Sequence, residues 1–269
     1  MGIDLHTHSS VSDGTDTPTQ LVRKAAEQGL DVLGLTDHDT FDGLREAKLA
    51  AEGTDLTVLP GLEMSCQLDG ASVHLLGYGC DPHDESLLNE LTRVRVGRTG
   101  RLPEMLAKLA ELGMPLTEAE IAEQVGSSPS LGRPHVADAM VAKGYVADRQ
   151  QAFDEYLFDG GPAYANRYSC DIRRGIELIR RAKGVPVIAH PWGRGRAQQL
   201  TPAVLSELTM EYRLEGVEVN HPDHDADTDP VPAPVDDVLP VRGRVHERVV
   251  ETDDLAAETD VLAGALPCR

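Results

Sequence analysis

Short apolar runs that each carry ionisable side chains at or near their ends recur along the chain, and this recurrence restricts the fold more than any other feature. Ile3 to Leu5 reads as the end of a buried strand. The next residues are His6-Thr7-His8, whose two imidazoles point to one face of an extended backbone. Asp13 follows after a small-residue turn in which Gly14 permits a sharp bend. Asp31 to Thr36 is a second strand, closed by Asp37-His38-Asp39. Leu56 to Leu59 is a third, running through Pro60-Gly61 into Leu62-Glu63-Met64, and Val73 to Tyr78, with His74, is a fourth. Val185 to Ala189 ends in His190-Pro191, and Leu214 to Val219 ends in Asn220-His221-Pro222-Asp223-His224-Asp225.

Helical periods fill the gaps. Thr17 is a capping hydroxyl before Pro18 at the first helical position, and Leu21, Val22, Ala25 and Ala26 share a face closed by Gly29. Gly43 to Ala51, Ile172 to Lys183 and Thr201 to Tyr212 are further helices. Strand, polar end, helix, strand is the rhythm of a parallel α/β sheet or barrel. The rhythm is interrupted between Asp84 and Ala165, where Leu87 to Gly113 (inner stripe Leu102, Leu106, Leu109), Thr117 to Val125, Val136 to Lys143 and Arg149 to Leu157 are all helical. Thr117 with Glu120 reads as a capping box. The expected organisation is a first α/β part at 1–83, a helical insertion at 84–165, a second α/β part at 166–225, and an atypical, irregular tail at 226–269. In the tail, Asp229 to Pro234 is too rich in proline for helix or central strand. Val238 to Val241 and Val245 to Val250 are its short strand candidates, and Asp253 to Leu262 a weak helix.

The formal net charge of −20 makes the surface a poor generic partner for long duplex nucleic acid or an anionic membrane. An anionic ligand therefore requires metal ions or a few arginines to reverse the field locally. Four cysteines without C-x-x-C spacing fit reduced thiols, and no apolar run approaches a membrane span, so a soluble cytoplasmic protein is expected.

A single histidine after a strand has a plain explanation as a hydrogen-bonded loop residue, and His6-x-His8 alone fits a solvated loop as well. The series His6, His8, Asp13, His38, Glu63, His74, His190 and the Asp223-His224 pair is another matter, because the ends of parallel strands meet on one face. Imidazoles and carboxylates without a thiolate favour Mn, Fe or Zn. Clustered cations of that kind suit phosphoester hydrolysis, because they bind phosphoryl oxygens, lower the pKa of water and stabilise the leaving oxygen.

His6-Thr7-His8, Thr36-Asp37-His38-Asp39, Pro60-Gly61-Leu62-Glu63, His74-Leu75-Leu76-Gly77-Tyr78 and Ala189-His190-Pro191 resemble, in order, the motifs of the PHP (polymerase and histidinol phosphatase) metal-dependent phosphoesterases. Gly132-Arg133-Pro134-His135 within a helical insertion resembles the branch of 3',5'-nucleoside bisphosphate phosphatases and 5'-3' exoribonucleases. The resemblance implies a distorted (β/α)7 barrel with two or three divalent metal ions. Carried over by position, His6, His8 and Glu63 hold the first, and Asp13, His38 and His190 the second. Glu63 bridges to the third, completed by His74 and His135. Arg133, with Arg194 or Arg196, is assigned to substrate phosphate. Asp37, Asp39 and His221 remain open alternatives for orienting water or protonating the leaving group. The family pattern also calls for a late Ser-Asp-x-His-like motif. The nearest text, Arg244-Val245-His246-Glu247, lacks the aspartate, as a reading-frame change or a degenerate C-terminus would produce.

Three functions follow as expectations. The first is hydrolysis of phosphate esters on small nucleotides or short oligonucleotides. The second is histidinol phosphate hydrolysis, against which the Arg133-Pro134-His135 segment counts. The third is an impaired metal- or nucleotide-binding module lacking its last ligand motif.

Overall fold

A computed structural model describes residues 2–125, 132–191 and 199–219, and the backbone of two strands at 245–249 and 257–261. Seven strands form one mixed sheet: β1 (Ile3–Thr7), β2 (Val32–Leu35), β3 (Thr57–Leu68), β4 (Ala71–Tyr78), β5 (Cys170–Asp171), β6 (Val185–Ala189) and β7 (Gly216–Val217). The main path runs β1-β2-β3-β4-β6-β7, with β5 paired to β3. β1, β2 and β3 are mutually parallel, as expected. β4 is not: it runs antiparallel to both β3 and β6. The local reason is Asp69-Gly70, a two-residue connection with φ of 49° and 90° that joins Leu68 directly to its partner Ala71. Asp-Gly supplies the positive φ values that a tight hairpin demands.

The sheet curls. Ile3 and Leu5 of β1 pack with Leu76 and Tyr78 of β4 and with Val187 and Ala189 of β6, three strands that are not all sheet neighbours. Glu218, directly after β7, meets His6 of β1 with an Nδ1–Oε1 distance of 3.0 Å. Outside the curl, α8 (Ile172–Arg181), α9 (Pro202–Tyr212) and the start of α3 (Glu85–Gly100) bury Ile176, Ile179, Leu208, Leu87 and Leu91 against β3, β4 and β6. α1 (Pro18–Glu27) and α2 (Leu44–Ala51) cover β2 with Val22, Ala25, Leu44 and Ala47. Thr17 caps α1 reciprocally with Gln20.

Between β4 and β5 lie only helices among the described residues: α3, α4 (Leu102–Glu111), α5 (Glu118–Val125), α6 (Arg133–Ala142), α7 (Arg149–Ala152) and one π turn (Phe153–Leu157). α4 to α7 share a core of their own, built from Leu102, Met105, Leu109, Ile121, Val136 and Met140. The single helix expected over Leu87 to Gly113 divides at Arg101, because Pro103 can donate no hydrogen bond to a continuing helix. The strand expected over Leu214 to Val219 shortens to β7.

The tail departs from expectation in its described part. β8 (Val245–Val249) and β9 (Ala257–Val261) pair antiparallel, so a strand stands inside the stretch expected to be a weak helix. Among the described residues no helix is long and apolar enough to cross a membrane. Cys66, Cys80 and Cys170 are buried and free.

Gly34 of β2 sits against the β1 backbone, and a Cβ there would lie 2.4 Å from the Leu5 carbonyl oxygen. Since neither strand can yield without breaking its pairing, Gly34→Ala should destabilise the protein by about 2 kcal/mol or more. The shift in the urea denaturation midpoint checks this.

Candidate metal centre

The β1–β2 register shifts between Asp4 and Thr7, placing one extra residue in β1. An extra residue inverts the side-chain alternation of a strand. Ile3 and Leu5 therefore enter the inner core, and beyond the shift His6 and His8 face the same interior. On β3 the alternation sends Leu62, Met64 and Cys66 to the outer core and Glu63 and Ser65 inward, opposite Leu76 and His74 of β4. His38 forms an isolated parallel bridge with Glu63 just beyond β2. His190 follows β6 with φ of 29°, a left-handed conformation seldom seen outside glycine, and Asp39 has φ of 56°.

Five imidazoles from these elements converge on Glu63, which is buried at 1% exposure. His6 Nε2 and His8 Nε2 lie 3.4 and 3.1 Å from Glu63 Oε2, and His38 Nδ1 lies 3.2 Å from it. His74 Nδ1 and His190 Nε2 lie 2.7 and 2.9 Å from Oε1. Asp13 joins from the side, 3.4 Å from His8 Nδ1 and 3.5 Å from His38 Nε2. Burial drives the Glu63 carboxyl upward, yet the surrounding His38, His74 and His6 outweigh it and hold the group well below the usual carboxylate range. At His6 burial pulls the pKa down, yet Glu218 and Glu63 override it and raise the group well above its usual value. Asp13 resists burial through His38 and His8 and falls to about 2. At His38 burial wins and its pKa falls to about 4.

The donor set fits divalent cations. The Glu218 carboxylate accepts from His6 Nδ1, so the neutral form of His6 carries its lone pair on Nε2, 3.2 Å from His8 Nε2. The buried His38 Nδ1 has no aligned hydrogen-bond partner. Three compact groupings of ligand atoms exist among the described residues: His6, His8 and Glu63; His8, Asp13 and His38; His38, Glu63 and His74. Imidazole nitrogen and carboxylate oxygen without sulfur are donors that divalent cations take.

The other expected residues occupy different settings. Asp37 accepts from Ser9 N, Ser9 Oγ and Ser12 Oγ, each at 2.7 Å, and so pins the loop carrying His8 and Asp13. Asp39 accepts from Ser65 N at 2.7 Å, and Arg98 Nε lies 2.8 Å away, close enough for an ion pair though not aligned as a hydrogen bond. Neither aspartate lines the cavity onto which the cluster opens, and neither does His135. His135 Nδ1 accepts from Gly132 N at 3.0 Å, and its ring interacts with the Ser12 backbone. Arg133 lines the cavity, donating to Leu157 O and Asp159 Oδ1 at 2.8 and 2.5 Å. Arg194, Arg196, His221 and the Asp223-His224 pair lie outside the described residues, as does the side chain of His246.

The cavity measures about 1160 Å³, and its lining also includes Arg98, Arg101, Arg167, Phe153, Phe158 and Tyr164. Sequence reasoning passed over Glu218, Ser9, Ser12 and these arginines. A charged residue alternating with apolar ones in Gly216-Val217-Glu218-Val219 was the available sign for Glu218. The pinning serines carried none.

A curled α/β sheet that focuses imidazoles and carboxylates on one arginine-walled cavity defines a metal-dependent hydrolase of phosphate esters. Residues 4–93 match the PHP domain. Over 188 residues the chain is 36% identical to a 5'-3' exoribonuclease of Haemophilus influenzae, covering 70% of this chain and 68% of the relative. Over 228 residues it is 33% identical to a 3',5'-nucleoside bisphosphate phosphatase of Chromobacterium violaceum, covering 84% and 79%. The crystal structure of a protein assigned as a metal-dependent phosphoesterase, from Bifidobacterium adolescentis, matches with a TM-score of 0.78 at 32% identity, covering 84% of this chain and 79% of that one. The chain belongs to the PHP family of metal-dependent phosphoesterases.

Two outcomes follow from the geometry. Glu218→Gln replaces the carboxylate that accepts from His6 Nδ1 with a neutral amide, and should weaken Mn²⁺ affinity by roughly 10- to 100-fold in equilibrium dialysis. Asp39→Asn leaves the buried Arg98 without its carboxylate and should cost about 3–5 kcal/mol of stability in denaturant titration.

Proposed function

We propose that this protein is a cytoplasmic hydrolase acting on 3',5'-nucleoside bisphosphates or short oligonucleotides with two or three Mn, Fe or Zn ions. The observation that carries the reading is the union, in one cavity, of the Glu63-centred donor cluster with a wall of guanidinium and aromatic groups. Two of the three phenylalanines in the whole chain, Phe153 and Phe158, line that cavity. Ring faces beside guanidiniums suit a nucleobase attached to phosphate. The named activities of the two curated relatives support the same substrate class.

In this reading His6, His8 and Glu63 hold one cation, Asp13, His38 and His190 a second, and Glu63 with His74 reaches a third. When bound, the cations polarise the phosphoryl group, lower the pKa of a water and stabilise the leaving oxygen. The protein's own groups prepare that site. Glu218 holds the His6 tautomer, Asp37 fixes the His8–Asp13 loop, and His135 braces the same loop from α6. Arg133, with Arg194 or Arg196, grips phosphate. Asp37 and Asp39 act as positioning residues, because their oxygens already serve Ser9, Ser12, Ser65 and Arg98. This leaves His221 as the candidate to exchange a proton with the leaving group. The sheet closes as a distorted (β/α)7 barrel with 84–165 as its helical insertion.

Incubation with adenosine 3',5'-bisphosphate and Mn²⁺ should release inorganic phosphate, measured colorimetrically, and His8→Ala should reduce release to the level of a protein-free control. No release by the parent above that of His8→Ala would refute the proposal.

A further inference from the structure

Asp39 directly follows His38, and its φ of 56° is a conformation that residues other than glycine adopt at a cost. Its amide, its carboxylate and its carbonyl are each fastened. The amide donates to the Glu63 carbonyl at 3.1 Å, and Glu63 N donates in turn to the Asp37 carbonyl at 3.3 Å. Those two bonds bracket the bridge between His38 and Glu63. The carboxylate accepts from Ser65 N and Ser65 Oγ at 2.7 and 3.0 Å and faces Arg98. The carbonyl accepts from Arg95 Nη1 at 2.7 Å, a bond that ties α3 to the loop after β2.

Arg95 makes an uncommon use of its charge. Acidic residues outnumber lysine and arginine by 45 to 25, so carboxylates are plentiful as partners. Arg93 and Arg98, on the same helix, each take one: Arg93 pairs with Glu90 and Arg98 with Asp39. Among the described residues Arg95 forms no ion pair, and its side chain donates to the Asp39 carbonyl and, at 3.5 Å, to Thr92 Oγ1. Nor does Arg95 line the cavity, where it could meet a ligand. Its guanidinium is spent on the dipole of one strained peptide beside His38. The His38 ring depends on that peptide for its direction, with Nδ1 3.2 Å from Glu63 Oε2 and Nε2 3.5 Å from Asp13 Oδ2.

We propose that Arg95 is a positioning residue for the metal centre, which fixes the left-handed Asp39 peptide and, through it, the direction from which His38 offers its ring to a cation. This role rests on the metal-dependent phosphoesterase reading and deepens it, because it brings α3, which carries none of the candidate ligands, into the affinity of the site for metal. Ser65 and Arg98 hold the Asp39 side chain and Glu63 holds its amide. Among the described residues Arg95 is the group that holds the carbonyl, which a relaxation of φ would swing away. Groups that orient a ligand without touching the cation govern metal affinity nearly as strongly as the ligands do.

Equilibrium dialysis of the full chain against Mn²⁺, after removal of metal with a chelator, tests it. Arg95→Met keeps an unbranched stem without a donor, and should weaken at least one Mn²⁺ equivalent by about tenfold. The bond to Asp39 is a single one, so Arg95→Lys can still donate and should recover most of that loss. Arg93→Met, on the same helix but paired with Glu90, should stay within about twofold of the parent. In turnover of adenosine 3',5'-bisphosphate, Arg95→Met should regain the parent's kcat and KM once Mn²⁺ is raised by about the factor lost in affinity. Every equivalent within about twofold of the parent in Arg95→Met would overturn the assignment. So would a loss in Arg95→Lys as large as in Arg95→Met, or a rate that excess Mn²⁺ does not restore. If Arg95→Met does not fold, Arg95→Gln, whose shorter chain falls short of the carbonyl, decides by the same measurements. A parent that binds Mn²⁺ but hydrolyses no nucleotide loses the phosphoesterase reading alone, since the affinities still decide Arg95. A parent that binds no Mn²⁺ refutes both.

Discussion

Glu63 is a carboxylate with 1% exposure to solvent, and the two oxygens of this one group gather imidazoles from or beside four strands of the sheet. A buried charge of this kind persists only where opposite charge or hydrogen bonds compensate it. The surrounding imidazoles supply part of that compensation. The remainder falls to divalent cations, since Asp13 and Glu218 add further negative charge within the same few ångströms. Removing Glu63 would therefore do more than delete a ligand. It would release the common partner of residues on or beside β1, β2, β4 and β6.

The backbone pays for this convergence in three local irregularities. The extra residue in β1 turns His6 and His8 inward. The Asp69-Gly70 hairpin reverses β4, so that His74 approaches Glu63 from the opposite direction to β1 and β2. His190 takes a positive φ to bring its ring within 5.8 Å of His6 and 5.2 Å of His74, measured between centroids. Each is a departure from ideal geometry that would cost stability in a plain sheet. All three aim side chains at the same point, which is why they are read as parts of one site.

The uneven legibility of the sequence has the same origin. His6, His8, Asp13, His38, Glu63, His74 and His190 stand out because residue type and strand position suffice to mark them, and the structure gathers all seven. β1, β2, β6 and the capping boxes at Thr17 and Thr117 are likewise local, set by two-residue periodicity or by a hydroxyl three residues from a partner. What escaped was chiefly non-local. Nothing near Glu218 in sequence says that it will meet His6, 212 residues away. Arg98 and Arg101 look like ordinary helix charges until Asp39 and the cavity are brought beside them. The antiparallel β4 is the exception: Asp69-Gly70 between two apolar runs is a local hairpin signal, and the parallel rhythm of the first three strands masked it.

The distribution of charge completes the argument for a small substrate. A net charge of −20 repels phosphate from most of the surface, and screening confines any local reversal of sign to about 8 Å at physiological ionic strength. The reversal therefore has to be built where the phosphate will rest, and both devices that produce it lie inside one cavity. The Glu63 donor cluster and the arginines that line the cavity are those two devices. Long duplex nucleic acid needs a basic track along the outside, which an acidic exterior does not offer. A small phosphorylated ligand needs only the cavity, whose lining also includes Phe158 and Tyr164.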